Sequence, residues 1–439
     1  MKKKILLIQP TPYDPQGKLI KKSILYFVGL SLPLLAALTP KDYEVELCYE
    51  TIEDVDFDTD ASLIGISSMG HGVLRTIDIA KEFKKRGKTV ILGGYMVSLM
   101  PEEAAKYCDS VVIGDAEEAW KELLEDYRRD ALKKVYKKQL QNLSTPLPRY
   151  DLIVKKRIGN FLPVQAGRGC PNTCSFCSVF CLYKGSYLKR DIDEVIRDIK
   201  EVKRLGFKRF LLLDDNIFSD RKYAFSLCRE IRKLNMKWMT QCSIDIAKDT
   251  ELLKIISESG CMALSFGLES ISKESLRSMN KAWADPDSYG SQIKIIQSYG
   301  IDISTEMVVG AEGDTLESIS ATADFITANG IMVPRFYILT PIPGTKYYYD
   351  MMKENRIYKH DIYRYNGTEA VHIPKNMSPE ELTDAYWSLY REVFSYGSII
   401  RRTLLNTNSL KRPFMCIFYF FVNLYYRRQI YQGITPNIF

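Results

Sequence analysis

Short apolar runs alternate with amphipathic stretches twice along this chain, and that rhythm leaves few folds open. In the first third, Ile5–Gln9, Tyr43–Tyr49, Ser62–Ser67, Thr89–Leu92 and Ser110–Ile113 read as strands. Leu25–Leu38 reads as a buried helix despite Pro33, and Leu74–Arg86, Pro101–Tyr107 and Glu117–Arg129 read as amphipathic helices. Strands alternating with helices build parallel βαβ units, so residues 1–135 predict an α/β domain with an open doubly wound sheet. Ligands of such sheets bind outside the carboxyl ends of the strands. Those ends are small here: Ser67-Ser68-Met69-Gly70-His71-Gly72, Gly93-Gly94-Tyr95 and Gly114-Asp115. Glycine lets backbone approach a ligand closely, although an ordinary βα turn would account for any one of these loops alone. Residues 136–160 are basic and then proline-containing, which predicts a linker.

The rhythm restarts at Phe161. Strands are predicted at Phe161–Ala166, Phe210–Leu213, Trp238–Ser243, Ala263–Gly267, Asp302–Val309 and Arg335–Thr340. Amphipathic helices fall between them, for example Ile192–Leu205, Lys222–Leu234 and Pro286–Tyr299. Residues 161–345 thus predict a partial (β/α)6 barrel, whose active site belongs at the carboxyl ends of its strands. Beyond Pro341-Ile342-Pro343-Gly344-Thr345 the alternation stops, and residues 346–439 read as mainly helical.

Composition narrows the function classes. With 46% hydrophobic and 26% charged residues the chain is of globular type, which excludes wholesale disorder, collagen and coiled coil. Its net charge of +7 is mild for 439 residues. The excess is local: from Gly397 onward stand Arg401, Arg402, Lys411, Arg412, Arg427 and Arg428, with no acidic residue. No nucleic-acid module accompanies them, so nucleic acid is not an expected partner. The apolar run near the N-terminus breaks at Gln9-Pro10, unlike a secretory signal. No run reaches the ~20 apolar residues that span a bilayer. These features predict a cytoplasmic protein with reduced thiols. In such a protein, the four cysteines bunched between Cys170 and Cys181 favour a metal centre over disulfides.

Those cysteines follow the first barrel strand, in the loop Arg168-Gly169-Cys170-Pro171-Asn172-Thr173-Cys174-Ser175-Phe176-Cys177. Thiolates bind zinc or iron–sulfur clusters. Three ligands on a four-iron cube leave one iron open to coordinate another molecule, which suits a barrel mouth. A fourth ligand at Cys181 would instead give a structural zinc or a closed cluster, but zinc sites favour paired C-x2-C knuckles.

The C-x3-C-x2-C spacing resembles the radical SAM superfamily. The resemblance implies that Cys170, Cys174 and Cys177 hold a [4Fe-4S] cluster whose open iron chelates S-adenosyl-L-methionine. It also implies reductive cleavage of that cofactor to methionine and a 5′-deoxyadenosyl radical that abstracts hydrogen. Phe176 matches the aromatic position placed against adenine. Asp214-Asp215-Asn216, at the second strand end, stand where the family hydrogen-bonds the cofactor's amino group; a helix N-cap would use the same residue types. Gln241 and Ser243 end the third strand and match ribose or carboxylate contacts. Phe266-Gly267-Leu268-Glu269-Ser270 resembles the family's GxES segment, marking Glu269 as a cofactor contact. Glu306 lies in the fifth strand, where alternation would bury it, and buried carboxylates need a reason. Met307–Thr315 and Pro341–Thr345 resemble the turns that follow in the family. No catalytic acid or base is assigned.

The first domain resembles the flavodoxin-like, cobalamin-binding domain of one branch of that superfamily. Gly93-Gly94, Leu99–Glu103 and Val111-Val112-Ile113-Gly114-Asp115-Ala116-Glu117 carry the likeness. It implies that Ser67, Ser68, Gly93, Gly94, Tyr95, Gly114 and Glu117 line a cobalamin site. The D-x-H-x-x-G motif that supplies a cobalt ligand is absent: the loop after the first strand reads Asp14-Pro15-Gln16-Gly17. His71 is the only histidine in this domain, and a lone loop histidine is more often a surface residue than a ligand. Met96 stands where branch members often carry histidine.

The function implied is a radical SAM enzyme, a cobalamin-dependent C-methyltransferase at an unactivated carbon of a lipid or other secondary metabolite. It would need a reducing electron donor. Rearrangement or ring closure with a relic cobalamin domain is one alternative; a noncatalytic iron–sulfur electron carrier or sensor is another. Phe414–Tyr426, an aromatic-apolar run with Lys411-Arg412 and Arg427-Arg428 at its ends, reads either as core packing or as an interfacial helix giving peripheral membrane contact.

Overall fold

The computed structural model describes residues 3–406 and 413–436. The chain forms two compact units, residues 1–167 with 188–211, and residues 168–187 with 212–438. In the first, strands β1 (Lys3–Gln9), β3 (Tyr43–Tyr49), β4 (Leu63–Ser67), β5 (Thr89–Gly93), β6 (Ser110–Ile113) and β7 (Val135–Lys137) form one parallel sheet. Its order is β3-β1-β4-β5-β6-β7. The strand order reverses at β1, the topological switch point of a doubly wound fold. Apolar residues line both faces. Leu6, Ile8, Ile64, Ile66, Val90 and Leu92 pack with Ile79 and Phe83 of the helix Val73–Lys85. On the other face the Trp120 ring of helix Glu117–Arg128 lies over Gly65.

Two expectations need correction in this unit. Leu25–Leu38 is not one helix: Leu25–Phe27 is strand β2, and the helix runs only over Ser31–Leu38. Pro33 then falls in its first turn, where no intrahelical N–H is lost, so proline is compatible with the helix only once the helix starts late. The stretch read as linker 136–160 carries structure. Val135–Lys137 is an edge strand on β6, too short to show alternation, and β8 already begins at Ile158.

The second sheet comprises β2, β8 (Ile158–Gln165), β11 (Arg209–Leu213), β12 (Lys237–Cys242), β13 (Cys261–Glu269), β14 (Asp302–Val309) and β15 (Val333–Ile338), in the order β15-β14-β13-β12-β11-β8-β2. All six expected barrel strands are present, in sequence order within an open parallel sheet. The unforeseen β2 pairs with β8 at the edge. Between β8 and β11 a small ribbon forms from β9 (Gly167–Gly169) and β10 (Tyr187–Lys189). Along β14 the burial alternates strictly, with Ile303, Thr305, Met307 and Val309 buried, and Asp302, Ser304, Glu306 and Val308 half-buried.

After the sheet come the helices Lys346–Lys353, Pro379–Val393, Tyr396–Thr403 and Pro413–Ile430. The last three are joined by a buried cation that has no carboxylate partner among the described residues. The Arg402 guanidinium is fully buried. It donates to the carbonyls of Ile331 at 2.8 Å and Val393 at 2.9 Å and to Asn423 Oδ1 at 3.0 Å. Burial alone pushes its pKa down to about 9. Asn423 in turn donates to the Met332 carbonyl at 3.0 Å. The basic pair Lys411-Arg412 lies outside the described residues. Among the described residues no helix is long and apolar enough to cross a membrane.

Candidate active site

The cysteine loop leaves β9 and is clamped along its length. Gly169 sits at φ +88°, and a Cβ there would lie 2.1 Å from the Ser186 carbonyl, so only glycine closes the ribbon. The Gly169 N–H donates to Asp215 Oδ2 at 2.6 Å. Asn280 Nδ2 donates to the Thr173 carbonyl at 2.8 Å, and Ser175 N–H to the Met279 carbonyl at 3.0 Å. Tyr347 N–H, just past the Pro341–Thr345 turn, donates to the Ser175 carbonyl at 2.9 Å. A loop fixed by its neighbours presents its thiols without further ordering.

Cys170, Cys174 and Cys177 lie close enough to perturb one another: each of the other two raises the pKa of Cys174, behind its burial, which pushes it up to about 12. Cys181 does not join them. Its thiol donates to the backbone carbonyls of Gly344 at 3.0 Å and of Cys177 at 3.4 Å. Among the described residues no three His, Cys, Asp or Glu side chains converge on a single-ion position. A four-iron cube takes its cysteines on different irons, so its ligands need not converge. Three neighbouring thiols on a clamped loop, with the fourth engaged by backbone carbonyls, fit a three-ligand cluster.

Around this loop the strand ends supply polar groups. Asn216 is buried and bridges two positions: its Nδ2 donates to Cys170 Sγ at 3.8 Å and to Ser243 Oγ at 3.1 Å, while its Oδ1 accepts from Ser243 N–H at 3.2 Å. It makes no side-chain cap to the short 3-10 turn that follows, and the next helix is capped by Asp220. Asp214 is buried, accepts from Tyr187 Oη at 2.8 Å, and has its carboxyl pushed up to about 7 by burial. Gln241 is exposed, and Phe176 is half-buried between Cys174 and Cys177.

Two carboxylates lie on the later strands. Glu269 is buried and ion-paired with Lys281 at 2.7 Å. It adopts φ +63° at a register shift between β13 and β14. A Cβ at Gly267 would lie 2.5 Å from its Oε1, so the glycine of the Gly-x-Glu segment makes room for the carboxylate. Glu306 is half-buried rather than buried, on the more open face of β14, and pairs with Arg335 of β15 at 2.7 Å. Sequence reasoning missed Lys281, Arg335, Tyr187 and Asn280. All reach the site from positions far apart in the chain. Asn280, at φ +55° past a helix end, carries the only local mark, one shared with many helix termini.

In the first unit the small carboxyl-end loops cluster as expected but do different work. Ser68 is buried and its N–H bonds the Gly93 carbonyl at 2.9 Å. Gly94 has φ +95°, and a Cβ would come within 2.6 Å of the Ser68 carbonyl, so this glycine serves packing between strand ends. Gly114 at φ +75° has nothing within 4 Å of a Cβ, and its N–H is held by Ser98 Oγ at 2.9 Å, leaving open space for a large ligand. Ser67 Oγ lies 3.3 Å from Ser31 Oγ, Tyr95 is half-buried at the start of the helix Tyr95–Leu99, and Glu117 is buried at the start of the helix Glu117–Arg128. His71 lies on the 3-10 turn Gly70–Gly72, where burial lowers its pKa and favours the neutral ring. Asp14 closes its own turn, accepting from Gln16 and Lys18 N–H groups at 2.9 and 2.8 Å. A carboxyl edge of small residues with open backbone fits a corrin held without a ligand from the first loop.

Comparison with known proteins joins the two halves. Residues 28–124 match the B12 binding domain and residues 164–326 the radical SAM superfamily. Bacteriochlorophyllide d C-12(1)-methyltransferase of Chlorobaculum tepidum is 31% identical over 413 residues, spanning 91% of this chain and 89% of that one. The C-8(2)-methyltransferase of the same organism is 31% identical over 400 residues, spanning 87% and 88%. The fold resembles the radical SAM methyltransferase TsrM from Kitasatospora setae, solved with cobalamin and a [4Fe-4S] cluster, at a TM-score of 0.63 and 17% identity over 81% of this chain and 75% of that one. Both domains in one chain, with 31% identity along most of a named methyltransferase, show that the protein belongs to the cobalamin-dependent methyltransferases of the radical SAM superfamily.

Proposed function

We propose that the enzyme methylates an unactivated carbon of a lipophilic small molecule. Residues 161–345 would hold the cluster and S-adenosylmethionine, residues 1–135 the corrin, with 136–160 between them, and a separate reductant would supply electrons. When bound, the cluster provides the electron that cleaves S-adenosylmethionine and the corrin provides the methyl group. The chain's own residues bind and orient. Cys170, Cys174 and Cys177 hold the cluster. Asp214, Asp215 and Asn216 accept from the cofactor's ammonium; Gln241 and Ser243 meet ribose or carboxylate; Phe176 lies against adenine. Glu269 and Glu306 act with Lys281 and Arg335 as neutralised pairs, so they present hydrogen-bonding groups without net charge. Ser67, Ser68, Gly93, Tyr95, Gly114 and Glu117 line the corrin site, with Gly94 packing its strand ends together.

The observation that carries this reading is Asn216, whose amide joins a cluster cysteine to Ser243 on the next strand end. The lipophilic substrate class rests on the named substrate of the two 31%-identical relatives, and bacteriochlorophyllide d is therefore the first probe. Anaerobic reconstitution should give about four iron per chain and reductive cleavage of S-adenosylmethionine. Cys174→Ala should lose both, and Cys181→Ala should keep both. With cobalamin and substrate, 5′-deoxyadenosine and S-adenosylhomocysteine should form together. 5′-Deoxyadenosine without S-adenosylhomocysteine would point to rearrangement or ring closure, and a need for Cys181 would overturn the open-iron reading.

A further inference from the structure

The helix Pro413–Ile430 presents two faces of opposite character. Cys416, Tyr419, Asn423, Tyr426 and Ile430 are buried. They lock the helix to its unit: Tyr419 Oη donates to Asp302 Oδ2 at 3.0 Å, and Asn423 joins the Arg402 network. The other face carries Phe414, Phe418, Phe421 and Tyr425, which are 86%, 56%, 63% and 48% exposed. Steps of four, three and four residues put them on one stripe, about 16 Å long at 1.5 Å per residue. Core packing and an apolar exterior are thus not alternatives here; the same helix does both.

We infer that this stripe docks on the surface of an anionic lipid membrane, with the helix lying flat on it. This deepens the lipophilic-substrate reading and rests on it. The charge around the stripe selects the partner. Arg401 and Arg428 are exposed, and no acidic residue occurs from Gly397 onward. The Arg427 guanidinium lies 4.2 Å over the Tyr396 ring, extending a cationic and aromatic surface. Aromatic side chains with a cationic border suit the headgroup boundary of anionic lipid. A second copy is the poorer occupant, because a two-fold interface would set each basic border against itself.

The test is flotation of the full-length protein with phosphatidylcholine vesicles, with and without phosphatidylglycerol, in the absence of S-adenosylmethionine and substrate. Wild type should float with the anionic vesicles and release as salt rises. Phe418→Ser combined with Phe421→Ser should weaken binding by about tenfold or more while keeping the wild-type melting temperature. Arg401→Gln combined with Arg428→Gln, at two exposed positions, should remove the preference for phosphatidylglycerol even if the serine variant misfolds. Wild type that ignores anionic vesicles, or variants that float like wild type, would overturn the inference. So would a wild-type dimer that the serine pair dissociates, which would make the stripe a self-interface. Because binding is read without turnover, it can fail while methyl transfer stands, and the reverse.

Discussion

Asp214 shows how one buried carboxylate can report on the cofactor site. Its folded pKa of about 7 lies above the ordinary value of 3.8, and burial is the main cause. The sign follows from linkage: a carboxyl raised on folding makes the native state bind more protons than the unfolded chain. Stability should therefore fall as pH rises from about 4 to about 7, by up to a few kcal/mol, and then level off. Asp214→Asn should remove that fall, which urea melts at pH 5 and pH 8 would measure. A bound cation reverses the preference, so S-adenosylmethionine should bind more tightly as pH rises through 7, and Asn at this position should flatten that profile. An affinity that does not change between pH 6 and pH 8 in the wild-type protein would remove Asp214 from the ammonium site.

Among the elements, the C-terminal helices are the ones whose role the chain's hydropathy leaves ambiguous. Arg402 joins three of them to the segment before β15 through carbonyls and one amide, with no carboxylate to neutralise it. Arg402→Ala would leave those acceptors buried without a donor, and Asn423→Ala would strip the cation of its amide partner, leaving Ser398 Oγ. We expect losses of about 3–5 kcal/mol for the first and about 1–3 kcal/mol for the second in chemical denaturation. Removing everything after Leu410 should unfold this region, since it deletes Asn423 along with the exposed stripe. Substitutions confined to the outer face avoid that confusion. A truncated chain as stable as the full one would show that the network contributes little.

For the whole molecule, the corrin site is where sequence likeness and chemistry must be reconciled. The first loop offers no histidine, and His71 lies on a separate turn where burial favours its neutral ring. Hydroxocobalamin should bind with an absorption spectrum free of histidine coordination, and His71→Ala should leave that spectrum unchanged. A spectral shift in this variant would make His71 a ligand after all. Failure of the wild-type protein to bind any corrin anaerobically would conflict with its membership among cobalamin-dependent methyltransferases.

Periodicity by itself determined the parallel α/β architecture and eleven of its strands, and the bunched cysteines marked the loop of interest, because a period-two or period-3.6 pattern and a run of thiols are local properties of the chain. Tertiary structure alone decided what the polar residues are paired with. Glu269 stands out in the sequence at a strand end, but its pairing with Lys281, twelve residues on, exists only in the fold. Glu306 reads as buried until the strand's open face and Arg335 are in place. Gly94 reads as ligand-facing until Ser68 fills the space beside it. The tail's aromatic run could not be divided into a packed and an exposed face without Asp302 and Arg402, which lie outside it. Apolar burial follows a pattern written along the chain, whereas the partner of a charge is chosen by long-range approach, and no local pattern encodes that.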